Sequence, residues 1–283
     1  MVLTMKKAYS VAAVCRALDV PRSTFYDRLR RLDAPLSGDK QRALTEVAVI
    51  HRETQASYGR RRMSKELRNR SIDIGPFGAR SLMRQAGLTV QVPKPPVYPK
   101  TKGAPDVIAP NLLDRQFDVT VPGTRFAGDI TYIWTLAGWL YLAVVMDLCG
   151  RRIVGWAMSD SPDTDLVRRA LRLSLAHRAD HKSLMFHSDQ GCQYTSHGFR
   201  GFLDENGIVQ SMSRRGNCWD NAPVERFFRS LKSERIRSTS YANHTEARAD
   251  IHDYINFYNT LRLHSAAADQ APAAYHAAMR KAA

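Results

Sequence analysis

The sequence predicts an α/β domain behind an all-α front end. Three observations predict it: helical periodicity before Val90, a cluster of prolines after it, and three β-rich segments with short connections followed by alternating helices and strands. At 283 residues and 44% hydrophobic content, the chain is long enough for two or three globular domains of roughly 100 to 200 residues each.

The front end opens with Val11, Val14 and Leu18 at helical spacing behind a possible cap at Ser10, then Asp19-Val20-Pro21 interrupts before Phe25 and Leu29 start a second stripe. Two short helices joined by a tight turn fit a helix-turn-helix, whose second helix would aim Arg22, Ser23, Thr24 and Tyr26 at a major groove. An ordinary helical hairpin fits the same pattern. A second helical group runs from about Gln41 to Leu88, with Arg60-Arg61-Arg62 followed by Lys65, Arg68, Arg70 and Arg80. Charge runs are usually solvated helix faces, but the number of basic residues here favours phosphate contact.

Charge supports that assignment. The net charge is +15, and residues 1–104 hold 21 Lys+Arg against 8 Asp+Glu while residues 105–283 hold 21 against 19. A large basic excess raises affinity for polyanions, and its place in the front end makes that region the nucleic-acid-binding part. Membrane binding is disfavoured. The longest apolar run, Trp139 to Met146, falls far short of the ~20 residues that span a bilayer, and no apolar signal core is present at the amino terminus. Cys15, Cys149, Cys192 and Cys218 form no CxxC pair, so four free thiols are expected in a cytoplasmic protein. His177 and His181 stand four apart without another ligand pair beside them, which is a weak basis for a zinc site.

Six of the thirteen prolines lie between Val90 and Asn111 and mark a semi-rigid linker. The expected division is a helix-turn-helix over 1–38, a second basic helical domain over 39–90, a linker over 91–117, a catalytic core over 118–240 and a helical extension over 241–283. Within the core, strands are expected over 125–134, 139–148, 153–158, 184–187 and 208–212, with helices over 162–179, 196–206 and 222–236.

Three carboxylates fall at informative places. Asp129 lies mid-strand in FAGDITYIW, on the face opposite Phe126 and Ile130; Asp189 ends the strand LMFHSDQG; Glu225 opens the last core helix. Singly, each has an ordinary explanation as a turn, Asx or helix-dipole residue. Together they could converge, and like charges that close would raise one another's pKa unless cations neutralise them. An all-oxygen donor set suits Mg²⁺ or Mn²⁺, and two such ions can activate an attacking oxygen and stabilise a leaving one at phosphorus.

From Phe126 to Lys232 the chain resembles the transposases of the insertion-sequence-three family (OrfB type), which share a core with retroviral integrases. The resemblance rests on GDITYIW, GWLYLAVVMDLCGRRIVGW, FHSDQGCQYTS and SMSRRGNCWDNAPVERFFRSLKSE, with 35 residues between Asp189 and Glu225. It continues through YINFYNTLRLHSA, and YGRRRMSKELR and RSLMRQAGL look like the family's helical domain. The chain departs at Gly150, where a serine is common, and in the tail AAADQAPAAY, which lacks a small glycine-containing turn. The resemblance implies a ribonuclease-H-like core, a mixed five-stranded sheet with flanking helices. It also implies Asp129, Asp189 and Glu225 as ligands for Mg²⁺ or Mn²⁺, and attack of a freed 3′-hydroxyl on another phosphodiester. Implied partners are double-stranded DNA, as element terminal inverted repeats and target, and further copies of the chain in a dimer or higher assembly. Whether an upstream-frame partner protein is required stays open.

Around the triad, Glu225, Arg229 and Lys232 share one stripe of their helix, while Val224, Phe227, Phe228 and Leu231 form the buried side. Arg229 and Lys232 would hold phosphates beside the metals. His187 shares the face of Asp189 and either touches phosphate, organises the pocket or is a satisfied structural histidine. Trp219 and Asn221 precede Glu225 in a loop and would stack on a base or orient the acid. Asp147 and Asp220 rank below the triad. The rival functions are a sequence-specific DNA-binding regulator with an inert core, which the full triad disfavours, and a plain nuclease, which needs no basic front end.

Overall fold

The computed structural model describes residues 10–17, 20–26, 38–90, 108–179 and 183–282. Helix α1 (Val11–Ala17) starts at Ser10, whose Oγ accepts from Ala13 N at 3.3 Å. A further helical stretch covers 22–26, with Phe25 buried and Arg22, Ser23, Thr24 and Tyr26 exposed. Leu29, expected to continue that stripe, lies outside the described residues, as do 91–107 of the expected linker and His181.

Helices α2 (Gly38–Glu53), α3 (Arg60–Asn69) and α4 (Pro76–Gln85) form the second helical group. Their buried residues follow helical spacing: Ala43, Val47 and Ile50 on α2, Met63 and Leu67 on α3, Ala79, Leu82 and Met83 on α4. Ser64 Oγ donates to Ile74 O at 2.6 Å and ties α3 to the loop before α4.

The core sheet has the order β3-β2-β1-β4-β5, from β1 (Arg125–Thr135), β2 (Gly138–Asp147), β3 (Arg152–Ser159), β4 (Leu184–Ser188) and β5 (Ile208–Met212). The first three strands are antiparallel, as their short connections require, whereas β4 runs parallel to β1 and to β5, so the sheet is mixed. Helices cover both faces. On one, Phe126, Ala143, Val145 and Val154 pack with α5 (Thr164–Ser174) and α7 (His197–Glu205), the latter preceded by the single turn α6 (Cys192–Thr195). On the other, Ala127, Ile133, Leu142, Val144 and Met146 pack with α8 (Ala222–Glu234) and α9 (His244–Thr260). Covered on both faces, β2 is the unbroken apolar run of the sequence. Gly155 lets α5 approach β3: a Cβ there would stand 2.2 Å from Ala170 O.

The carboxyl-terminal segment is stitched to this core. Asn259 on α9 accepts from Ile153 N at 3.0 Å and donates to Ile153 O at 2.9 Å. On α10 (Pro272–Ala282), His276 Nε2 meets Asp147 Oδ2 at 2.9 Å, and the fully buried Asp147 also accepts from Gly123 N and Cys149 N. The two departures from the family pattern meet here. Gly150 has φ +71°, and a Cβ on it would be 2.7 Å from Cδ1 of Tyr275, the last residue of the divergent tail.

The described part of the expected linker is likewise anchored: Leu112 N and Leu113 N both donate to Ser211 Oγ, and Met212 N donates to Pro110 O. No helix among the described residues is long and apolar enough to cross a membrane.

Candidate active site

Strand register brings the two aspartates together. In the parallel pair, Ala127 lies opposite His187, and two further residues along each strand stand Asp129 and Asp189. Pairing between β1 and β4 ends with Ala127 and His187, two residues before the aspartates, and the carboxyl ends of strands in α/β sheets are where binding sites form. Asp129 Oδ1 accepts from Ile130 N at 2.7 Å, and Asp189 Oδ1 accepts from Gly191 N at 3.0 Å.

Glu225 is carried to the same place by α8. Pro223 suits the first turn of that helix, where a backbone N–H has no intrahelical partner. The buried Asn221 at its amino end donates from Nδ2 to Gly128 O at 3.2 Å, which pins α8 against the residue before Asp129. Its Oδ1 is buried without a hydrogen-bond partner.

The three carboxyls share one electrostatic field. Burial holds Asp129 well above the usual carboxylate range, and the charges of Asp189 and Glu225 push it further up. Asp189 is raised by burial; Glu225 is raised by burial and by Asp189 against the pull of Arg229. Lys232 is pulled down by burial while Asp129 favours its charged form. Its Nζ sits 4.8 Å from the ring centroid of Tyr132, an aromatic support that sequence spacing did not single out. Tyr194 is buried beside both aspartates, whose charges raise it further after burial itself. Among the described residues no three His, Cys, Asp or Glu side chains are gathered into a cage for one ion. Mutual repulsion of uncompensated carboxylates acts against such gathering.

The other expected site residues separate into groups. His187 is fully buried and both ring nitrogens are engaged, Nδ1 with Ser211 Oγ at 2.9 Å and Nε2 with Ser213 Oγ at 3.1 Å. It is the satisfied structural histidine, closed to phosphate, and burial pushes it down to about 4. Trp219 is 70% exposed, and Arg229 is exposed on the same helix as Glu225. Asp220 is not free to serve as a ligand: with no exposed surface, it accepts from Arg214, Arg115 and Asn111, and the two arginines hold it far below the usual carboxylate range. Asp147 is committed to α10.

The arginine run does not act as a unit. Successive helical residues point about 100° apart, so three in a row cannot face one partner. Arg61 is exposed; Arg60 lies 5.0 Å from the ring centroid of Phe77; Arg62 turns inward, over Tyr58 and 3.6 Å from Glu234. Arg62 thus sits at the seam between front end and core, apart from Arg60 and Arg61.

Comparisons with known proteins agree with this architecture. Models described as "Integrase core domain" match residues 120–218 and 206–272, and one described as "HTH-like domain" matches 39–96. Among curated relatives, the Shigella sonnei "Insertion element IS600 uncharacterized 31 kDa protein" is 33% identical over 93% of this chain and 97% of its own length. Escherichia coli "Transposase InsF for insertion sequence IS3A" is 35% identical over 91% of this chain and 90% of its own, and "Putative transposase InsK for insertion sequence element IS150" 33% identical over 92% and 90%. Among solved structures, an HTLV-2 integrase catalytic core domain in complex with magnesium aligns at 16% identity over 55% of this chain and 97% of that one, with a TM-score of 0.43. Identity at this level across nearly the whole length, with an integrase core behind an HTH-like domain, means that the chain belongs to the IS3 family of insertion-sequence transposases, enzymes that transfer polynucleotide strands.

Proposed function

We propose that Asp129, Asp189 and Glu225 form the catalytic centre of this transposase and hold Mg²⁺ or Mn²⁺, in a two-ion arrangement, against the phosphates of an element end. The observation that carries the proposal is the parallel register that sets Asp129 beside Asp189, with Glu225 in the same field. The donor set fits: three oxygen ligands, all raised by burial, with Asp189 and Glu225 raising Asp129 further and Asp189 raising Glu225, against the backbone N–H groups of Ile130 and Gly191 and the charges of Lys232 and Arg229. When bound, divalent cations would neutralise this field and supply Lewis acidity at the attacking and leaving oxygens.

The chain's own residues do the rest. Arg229 and Lys232 on the stripe of Glu225 hold the phosphates of the end, Asn221 fixes the start of α8, and exposed Trp219 offers a stacking surface for an unpaired base. Cleavage and joining are both in-line displacements at phosphorus. A P–O bond forms from water or from the freed 3′-hydroxyl, the bond to the leaving 3′-oxygen breaks, and the attacking group loses its proton.

The substrates on this reading are the element's terminal inverted repeats and a target duplex, bound by a dimer or higher assembly on the nucleoid in the cytoplasm. The front end over 1–90 supplies most of the affinity, with Arg22, Ser23, Thr24, Tyr26, Arg60 and Arg61 among the DNA contacts. The test is a joining assay with a labelled element end and target DNA. Joined product that requires Mg²⁺ or Mn²⁺ and vanishes with EDTA is expected. Cut product alone would indicate a plain nuclease, and shifted bands alone a regulator.

A further inference from the structure

We infer that α4 is the helix that reads base sequence, entering the major groove of the element end with Phe77, Arg80, Ser81 and Arg84. The inference rests on the proposed action at element ends. It goes beyond that by selecting, from two helical regions, the element and side chains that carry specificity.

At 100° per residue along α4, Ala79, Leu82 and Met83 gather on one side, and all three are buried against α2 and α3. The remaining arc holds Arg80, Arg84, Phe77, Ser81, Gln85 and Gly78 in angular order, and every one is exposed. The helix contains two arginines and no carboxylate. Neither Arg80 nor Arg84 makes an ion pair among the described residues, whereas Arg68 and Arg70 on the neighbouring turn are paired with acids. Phe77 is 78% exposed, and its ring is backed by the Arg60 guanidinium.

An uncapped acid-free helix of this composition suits a polyanion, and the side chains suit base edges. Arginine reaches guanine O6 and N7 as a fork, an aromatic ring meets the thymine methyl group, and serine pairs with several bases. The scaffold also suits it: α3 and α4 pack through Met63, Leu67, Leu82 and Met83 across a loop held by Ser64, with α4 as the second helix of the pair.

The scaffold is also fixed to the chemistry. Tyr58 Oη donates to Leu261 O and accepts from Leu263 N, and Arg62 faces Glu234 at the far end of α8 from Glu225. A reader on this domain therefore stands at a set distance from the phosphate to be cut.

The experiment uses the full chain without divalent metal, so that binding is read apart from chemistry. Fluorescence anisotropy compares a duplex of the element's terminal inverted repeat with a shuffled duplex of equal length. Arg80→Ala and Arg84→Ala should each lower the ratio of end affinity to shuffled affinity about tenfold or more, and Phe77→Ala severalfold. Arg52→Ala, at an exposed position on α2, should weaken both duplexes equally and leave the ratio unchanged. All four sites are on the surface, and unchanged melting temperatures confirm intact folds. An unchanged ratio in the α4 variants overturns the inference. So does loss of the ratio on substituting Arg22, Ser23 and Thr24 instead. A wild-type chain that joins ends yet shows no preference for them also overturns it, while leaving the catalytic reading standing. Intact end preference without metal-dependent joining fails the catalytic reading and not this one.

Discussion

The burial of His187 has a consequence for solution behaviour. The unfolded chain protonates a histidine near 6.5 and the folded chain holds His187 down to about 4, so the unfolded state binds more protons between those values. Its contribution is fully present above pH 6.5 and is lost as pH falls from there toward 4, at most about 3 kcal/mol. His264, also held near 4 by burial and by Arg262, acts in the same direction. The melting temperature should drop over this acid window, and His187→Gln should flatten the drop. A melting temperature independent of pH between 6.5 and 4 would contradict the burial of both rings. Such roles were hard to see in the sequence. His187 was legible as lying on the face of Asp189, but its serine partners are 24 and 26 residues away, and Asp220 meets Arg115 across 105.

At the scale of elements, α8 joins catalysis to support. Its buried side of Val224, Phe227, Phe228 and Leu231 follows the periodicity of the sequence, and so does the stripe of Glu225, Arg229 and Lys232. Strands β1 to β3 were equally legible, because alternation, β-rich composition and glycine turns act locally. The anchoring of the far end of α8 was not. Glu234 receives two hydrogen bonds from the buried Arg262 and one from Tyr254, and these partners lie beyond any local pattern. Glu234→Ala leaves Arg262 buried without its counter-charge and should cost about 3 to 5 kcal/mol, read by thermal or urea unfolding. A loss below 1 kcal/mol would show that water reaches Arg262. On the functional stripe, Arg229→Ala and Lys232→Ala should reduce joining more than end binding, and each should lower the salt slope of binding by about one unit. Arg226→Ala, on another side of the helix, should do neither. The reverse pattern would mean that α8 is rotated about its axis.

For the whole molecule, the central feature is the seam between the second helical domain and the core. Sequence composition separates a basic front end from a near-neutral remainder and implies independence, yet one apolar cluster runs from Ala43 through Leu82 to Tyr258. Tyr58 crosses 205 residues of sequence to bond Leu263 N. Tyr58→Phe removes one hydroxyl and leaves that N–H and the Leu261 carbonyl without it, at a cost of about 1 to 3 kcal/mol. Faster proteolysis between the helical domain and the core is the expected result, and an unchanged cleavage pattern would show that apolar packing alone holds the seam.

The catalytic assignment is tested most directly by charge-neutral substitution of the triad at saturating element-end DNA. Asp129→Asn, Asp189→Asn and Glu225→Gln each remove a carboxylate without removing basic surface. Each should abolish both cleavage and joining in Mg²⁺ while end binding stays within about twofold of the unsubstituted chain. Near-normal joined product from any one of the three would remove that residue from the catalytic centre and contradict the account.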